Sequence, residues 1–76
     1  MFIKISKVIS TCGDETIVDI WINVLMILKI EPVSYNNSIV KSLIYMKDVE
    51  AWDYIRCSMT PEEIIETIRG DRNDSI

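Results

Sequence analysis

The sequence predicts an α+β domain: a four- to five-stranded antiparallel meander sheet followed by one C-terminal helix packed on one face of the sheet. Two patterns indicate this fold class. Apolar and polar residues alternate over most of the chain, and an apolar stripe with capping residues at its start follows near the end. Alternation is typical of strands, whereas a stripe at helical spacing is typical of a surface helix. Short connections between the strands favour antiparallel neighbours over crossover topologies.

Five segments have the strand pattern, and they are residues 2–9, 16–22, 27–33, 39–46 and 52–57. Gly13 can supply a positive φ in the turn 10–14, and asparagines tolerate the left-handed region in the turn 34–38. Asn23 predicts a short break between the second and third strands. Pro32 is expected near the end of a strand, because in a central strand it would remove a hydrogen-bond donor.

The stretch 59–70 predicts the helix, which is expected to begin after the capping residue Thr60. Thr60 and Glu63 have the spacing of a capping box, in which each side chain accepts a hydrogen bond from the backbone N–H of the other residue. Pro61 suits the first helical position, where its missing N–H costs nothing. Gly70 is expected to end the helix in the left-handed conformation. The apolar stripe that would pack on the sheet consists of Ile64, Ile65 and Ile68.

Length and charge limit what the chain can be. Seventy-six residues form one domain, expected to span residues 1–70, with 71–76 as a flexible C-terminal tail. The net charge of −4 and the scattered positions of the eight lysines and arginines argue against a nucleic-acid partner, which needs clustered cations. No apolar run reaches the roughly 20 residues that span a membrane, and the start of the chain lacks the pattern of a secretory signal. A cytoplasmic protein without a membrane partner is therefore expected.

Residues able to do chemistry are few. The chain has no histidine, and Cys12 and Cys57 alone define neither a disulfide framework nor a zinc site. The acids Glu62, Glu63 and Glu66 are explained by the positive end of the helix dipole rather than by a metal. Two glycines cannot build a phosphate-binding loop. The sequence predicts no catalytic residue, no metal site and no cofactor, and a reactive thiol at Cys12 is the alternative left open.

The aromatic residues are the candidate binding residues. One short helix covers one face of a sheet, and the alternation along the strands places several large rings on the other face. These partner-binding candidates are Trp21, Tyr45, Trp52 and Tyr54. Large rings are enriched at interaction hot spots. Two alternatives remain, a sheet that curls around the rings to bury them and base stacking on a nucleic acid.

A resemblance to a known family rests on four segments: Ile3-Lys4-Ile5, Ile22-Asn23, Ile30-Glu31-Pro32 and the helix start 58–65. In this order they resemble segments of the FlbD-like small proteins, a family linked with flagellar and swarming functions and also carried by phages. The resemblance spans nearly the whole chain. It implies a small accessory protein without known catalytic residues.

Together these observations predict a small non-enzymatic protein-interaction module. The expected setting is a phage or mobile-element accessory protein that binds and modulates a host protein in the host cytoplasm. A homo-oligomer is also expected, because the edge of any open sheet exposes backbone groups that can pair with a second copy. The alternative function is a nucleic-acid- or transcription-associated regulator.

Overall fold

The computed structural model describes residues 1–47 and 53–73. It contains five strands and one α-helix, so the α+β prediction is confirmed. The elements are β1 (Phe2–Thr11), β2 (Asp14–Asn23), β3 (Ile27–Pro32), β4 (Ser42–Met46), β5 (Ile55–Cys57) and α1 (Pro61–Asn73), with a single 3-10 turn, Val24–Met26, between β2 and β3.

The five strands form one antiparallel sheet in the order β2-β1-β5-β4-β3. This order differs from a simple meander, because β1 lies beside β5. The chain passes from β2 to β3 through Val24–Met26 without reversing its direction, so β3 does not pair with β2. The sheet therefore consists of a hairpin, β1–β2, and a three-stranded meander, β3–β4–β5, joined along β1 and β5.

The 3-10 turn brings the two edges of the sheet together at one corner. The Asn23 side chain caps the turn, with its Oδ1 accepting a hydrogen bond from Leu25 N at 3.1 Å. Val24 N donates to Met1 O at 2.9 Å, which ties the turn to the start of β1. Lys47 N donates to Met26 O at 2.8 Å, which ties it to the end of β4. The predicted break at Asn23 is confirmed, and the sheet must curl because only three residues join its edges.

One face of the sheet, which we call the helix face, carries the main core. Its buried residues come from four strands and the helix, and they are Ile3, Ile5, Ile22, Ile44, Cys57 and Ile64. The helix packs against β1 and β3. Alternation along the strands explains which residues are buried here, since Ile3 and Ile5 lie on the same side of β1. Ser42 is the buried polar residue among them, and its Oγ donates a hydrogen bond to Met59 O at 2.8 Å.

The helix prediction is confirmed at its start and wrong at its end. Thr60 N donates to Glu63 Oε1 at 2.9 Å and Glu63 N donates to Thr60 Oγ1 at 3.1 Å, which completes the capping box. The first of these bonds helps to hold the pKa of Glu63 below its ordinary value of 4.5. Gly70 is helical, and the helix continues to Asn73. Residues 71–73, expected in a flexible tail, are therefore part of α1, and 74–76 lie outside the described residues.

The opposite face of the sheet is partly covered by the β3–β4 loop, residues 33–41. The sequence analysis expected the helix alone to cover the sheet, whereas this loop covers part of the other face. A second buried cluster lies here, formed by Val8, Val40 and Leu43 with Val33 and Tyr45 packed against it. Val8 is on the other side of β1 from Ile3 and Ile5, and Leu43 is on the other side of β4 from Ile44. The sheet thus has a small core on each face.

The loop is held in place by the carboxylate of Glu15 on β2. Ser38 Oγ donates to Glu15 Oε2 at 2.7 Å, and Ile39 N donates to Glu15 Oε1 at 2.9 Å. Ser38 Oγ also accepts from Val40 N at 3.1 Å. The hydrogen bond from Ser38, and then the one from Ile39, lower the pKa of Glu15 from its ordinary value of 4.5. The ionised carboxylate therefore fastens a loop more than twenty residues away in the sequence.

Two strands are shorter than predicted, and these contacts explain the first of them. β4 begins at Ser42 rather than at residue 39, because Ile39 N bonds to Glu15 and Lys41 N donates to Cys57 O outside a regular ladder. β5 begins at Ile55 rather than at residue 52. Of the earlier residues in that segment, 53 and 54 have no regular structure and Trp52 lies outside the described residues, as does most of the connection before it.

The turn between β1 and β2 is tighter than predicted. β1 continues to Thr11, which pairs with Asp14, so Cys12 and Gly13 form a two-residue turn. Both have positive φ, 51° for Cys12 and 87° for Gly13. Two positive φ angles are the signature of the turn that matches the twist of a hairpin. Gly13 supplies the expected conformation, whereas Cys12 adopts it with a side chain.

The helix offers a matched test of the helix-face core. Ile64 is 0% exposed whereas the adjacent Ile65 is 42% exposed, so the predicted stripe is narrower than three isoleucines. We expect Ile64→Val to lower the free energy of unfolding by about 0.5–1.5 kcal/mol, because it removes a buried methyl group. Ile65→Val, with the same change in side chain, should stay within about 0.5 kcal/mol of the parent. Urea unfolding followed by circular dichroism measures both, and equal losses would contradict this packing.

The loop contact offers a test through pH. Because the folded state lowers the pKa of Glu15, its carboxylate stabilises the fold fully above pH 4.5, and this stability is lost as the pH falls through the folded pKa. We expect Glu15→Gln to be less stable than the parent at neutral pH, with a difference that shrinks in acid.

The control for this test is Ser38→Ala, which removes the hydroxyl donor and leaves the acid. Its effect and that of Glu15→Gln should not add in the double variant, because both break the same hydrogen bond. Unfolding in urea at a series of pH values measures all three proteins. A difference between Glu15→Gln and the parent that does not change with pH would contradict the role of the carboxylate.

Candidate functional site

Two of the four aromatic candidates meet on the opposite face of the sheet. The rings of Tyr45 and Tyr54 have centroids 5.6 Å apart and planes inclined at 57°. Tyr45 lies on β4 and Tyr54 immediately precedes β5, the neighbouring strand. A tilted pair at this distance is a favourable arrangement of aromatic rings. The predicted proximity of these two residues is therefore observed.

Tyr45 is also held by two charged residues of β3. Its hydroxyl donates to Glu31 Oε1 at 3.1 Å, and Lys29 Nζ lies 4.5 Å from the centre of its ring. Lys29 and Glu31 form an ion pair at 3.2 Å. Because they are two residues apart on one strand, both side chains project on the same side as Tyr45. The ring is thus fixed by a hydrogen bond, a cation–π contact and a second ring.

This environment raises the pKa of Tyr45 above its ordinary value of 10.0. Burial is the largest cause, followed by the hydrogen bond to Glu31 and the negative charge of that carboxylate. Tyr54 and Tyr35 add smaller contributions of the same sign. Tyr35, which lies in the β3–β4 loop, was not among the sequence candidates. Tyr45 and Tyr54 form the contact pair, which together with Lys29 and Glu31 we call the tyrosine cluster.

Trp21 does not join this cluster. It lies on the edge strand β2, opposite Lys4 of β1, and β1 and β5 separate it from Tyr45 in the sheet. Its side chain is 66% exposed. In the part of the chain that the structure describes, the pair Tyr45–Tyr54 is the aromatic contact, and none reaches Trp21. The expectation of one surface formed by four aromatic residues is thus replaced by two separate surfaces, with Trp52 outside the described residues.

A second surface surrounds Trp21 at the corner of the sheet. Phe2 pairs with Asn23, so Phe2 and Trp21 are diagonal neighbours on the face opposite the helix. Leu25 lies in the turn that Asn23 caps. Phe2 is 57% exposed and Leu25 is 71% exposed. These three residues, Phe2, Trp21 and Leu25, form what we call the corner surface. Phe2 and Leu25 were missed from the sequence because strand ends and short turns give no sign of which apolar residues stay exposed.

A small cavity lies beside Tyr54, where β5 begins. Its volume is about 220 Å³, and its lining residues are Lys7, Met46, Asp53, Tyr54 and Ile55. Ligand pockets usually have volumes of roughly 300 Å³ or more, so this cavity is smaller than a typical ligand site. The lysine and the aspartate give it mixed polarity. It is the weaker candidate for a binding site.

Across residues 1–47 and 53–73, no group of three or more acids or cysteines is placed to hold a metal ion. Cys12 is exposed at the hairpin turn and Cys57 is buried in the helix-face core, and both are free. Within the same residues, no helix has both the length and the apolar character needed to cross a membrane.

The electrostatics of the tyrosine cluster can be tested directly. We expect Glu31→Gln to lower the pKa of Tyr45 towards 10.0 without reaching it, because burial is the larger cause of the shift. Glu66→Gln is the control, since Glu66 pairs with Arg69 on the helix. Titration of the tyrosine ring carbons by NMR measures each phenol separately. An unchanged Tyr45 midpoint in Glu31→Gln would contradict the contact.

Known proteins provide no guide to the use of these surfaces, because no protein-family model, curated protein or solved structure matches the chain. The resemblance to the FlbD-like proteins therefore stays a prediction. Function has to be argued from the corner surface and the tyrosine cluster.

Proposed function

We propose that the protein is a non-enzymatic protein-interaction module that binds its partner through the corner surface. The observation that carries this proposal is the exposure of Phe2, Trp21 and Leu25, each by more than half: Phe2 and Trp21 are diagonal neighbours in the hairpin, and Leu25 lies in the turn that directly follows β2. Contiguous apolar side chains on the surface of a small domain are typical of interaction sites. Tryptophan is also among the residues most enriched at hot spots.

The corner surface is preferred over the tyrosine cluster because its side chains are free to make new contacts. The hydroxyl of Tyr45 is bonded to Glu31, and Lys29 occupies one face of its ring. Trp21, Phe2 and Leu25 belong to neither buried cluster. A partner could bury them without first breaking an internal contact.

The size of the corner surface limits the affinity that it can provide alone. Complete burial of one large apolar side chain contributes about 1.5–3 kcal/mol. Association of two proteins costs about 4–15 kcal/mol in lost freedom of motion. Burial of three side chains therefore offsets much of this cost, but little favourable free energy remains for net affinity. Further contacts beside the corner are needed for a stable complex.

The source and the cellular location that we propose rest on the sequence analysis. The resemblance to a family also carried by phages, together with the small size of the chain, supports a phage or mobile-element accessory protein in the host cytoplasm. Its partner would then be a host protein. Self-association through the same surface is the competing outcome, and it is distinguished below by the oligomeric state.

A second candidate function, a nucleic-acid-associated regulator, has one observation in its favour. Lys29 lies over Tyr45 on the face where Tyr54 is also found. Proteins that bind single strands combine cations with aromatic rings on which the bases stack. The net charge of −4 opposes this function. Binding of single-stranded DNA at low salt that Tyr54→Ser removes would favour it over the corner surface.

Serine substitutions test the proposed protein partner. We expect Trp21→Ser to weaken partner binding by about thirtyfold or more, because loss of a hot-spot residue costs at least about 2 kcal/mol. Quantitative capture from a host lysate, with the full chain as bait, identifies proteins retained by the parent and lost from Trp21→Ser.

Tyr54→Ser is the matched control, since it also removes an exposed ring but lies outside the corner surface. A protein retained by the parent and by Tyr54→Ser, but not by Trp21→Ser, supports the proposal. Equal retention by all three would contradict it. Circular dichroism checks that each variant is folded, and sedimentation shows whether Trp21→Ser instead separates a dimer of this chain.

A further inference from the structure

The sheet has two edge strands. The edge strand β3 carries a bulge, a lysine and a proline, which protect an edge from pairing, and β2 carries none of these three. β3 has a register shift between Ile27 and Lys29, and it ends at Pro32. Bulges, lysines and prolines are the usual means of blocking an exposed edge. β2 pairs with β1 in unbroken register over all ten residues, and it contains no proline, lysine or arginine.

The unprotected edge of β2 leads to the corner surface. Thr11 and Asp14 flank the two-residue turn and therefore exchange hydrogen bonds, which fixes the alternation along the hairpin. Before the capping residue Asn23, the residues of β2 whose backbone N–H and C=O point away from β1 are then Glu15, Ile17, Asp19 and Trp21. The last of these supplies the most exposed ring at the corner. A strand added along this edge would reach Trp21 at one end.

The charge of β2 indicates which strand would fit. It contains three acids, Asp14, Glu15 and Asp19, and no cation. Glu15 is bonded to the β3–β4 loop, whereas no ion pair involves Asp14 or Asp19 in the described part of the chain. A second copy of β2 would bring three more acids to the same edge. Charge complementarity therefore favours a basic segment over self-pairing.

We propose that β2 is a docking edge for an extended, basic segment of a partner protein. The segment pairs its backbone with the outward-facing groups of Ile17, Asp19 and Trp21 and places an apolar side chain against the corner surface. Main-chain hydrogen bonds supply affinity in this mode of recognition, and side-chain contacts supply specificity. This inference rests on the proposed function and names the class of partner and the way it is held.

Hydrogen exchange tests the docking edge. The probe is a short synthetic peptide of alternating lysine and valine, added to the full-length protein and followed by NMR. At saturating peptide we expect the amides of Ile17, Asp19 and Trp21 to exchange at least about tenfold more slowly than in the free protein, since they become hydrogen-bonded. The amides of Val18 and Ile20, already paired with β1, should change little. Protection confined to the helix, or absent from β2, would overturn the proposal.

Two controls separate backbone pairing from charge alone. A peptide of alternating glutamate and valine should give no protection, because it carries the same sign of charge as β2. Ile17→Pro removes an outward donor while keeping the charge, and it should abolish protection by the lysine peptide, whereas Ile17→Ala should retain it. If Ile17→Pro fails to fold, the residue-specific protection pattern in the parent protein still decides the question.

The outcomes distinguish this inference from the proposed function. If a partner is lost from Trp21→Ser but no partner or peptide protects the β2 amides, the docking edge is wrong and the interaction module stands. If the peptide protects these amides but capture never depends on Trp21, the edge stands without the corner surface. Protection already present in the free protein, which disappears on dilution, would assign the edge to a second copy and overturn the basic partner.

Discussion

The corner at Asn23 is the constraint on which the rest of the structure depends. Three residues, Val24–Met26, separate β2 from β3, and the Asn23 side chain caps the turn that they form. This turn does not reverse the chain, so β3 cannot lie beside β2. Instead, β3 forms the opposite edge of the sheet, and β1, β5 and β4 lie between the two edges. A three-residue connection can join opposite edges only if the sheet curls, and the curl brings residues of four strands against Ile64 of the helix.

The curl also explains why the second face needs a loop. A helix of this length covers one side of the sheet, which leaves Val8 and Leu43 without cover on the other. The β3–β4 loop returns over them and contributes Val40. Its middle is attached by one carboxylate, Glu15, which accepts hydrogen bonds from Ser38 and Ile39, whereas Lys41 at its end is bonded through its backbone to Val33 and Cys57. The tyrosine cluster lies on the same face, where Tyr45 of β4 contacts Tyr54, Lys29 and Glu31.

Local interactions were predictable from the sequence, and contacts between distant segments were not. The capping box of Thr60 and Glu63 and the break at Asn23 depend on residues within three positions of each other, so residue type and spacing suffice. The pairing of β1 with β5 and the bond from Ser38 to Glu15 join segments that only the folded chain brings together. Alternation placed Trp21, Tyr45 and Tyr54 on one face, but strand order decides whether they meet. It brings the tyrosines together and leaves Trp21 at the edge.

The corner therefore has two consequences that coincide at one place. It makes β2 an edge strand, and it exposes Phe2, Trp21 and Leu25 beside that edge. Folding requires neither, because these three side chains belong to no buried cluster and a lysine or a proline would protect β2 as Lys29 and Pro32 protect β3. Polar replacements at such exposed positions usually change stability by no more than about 0.5 kcal/mol. The apolar side chains and the open edge of β2 thus lie at the same corner, and this coincidence is the reason that we propose one partner for both.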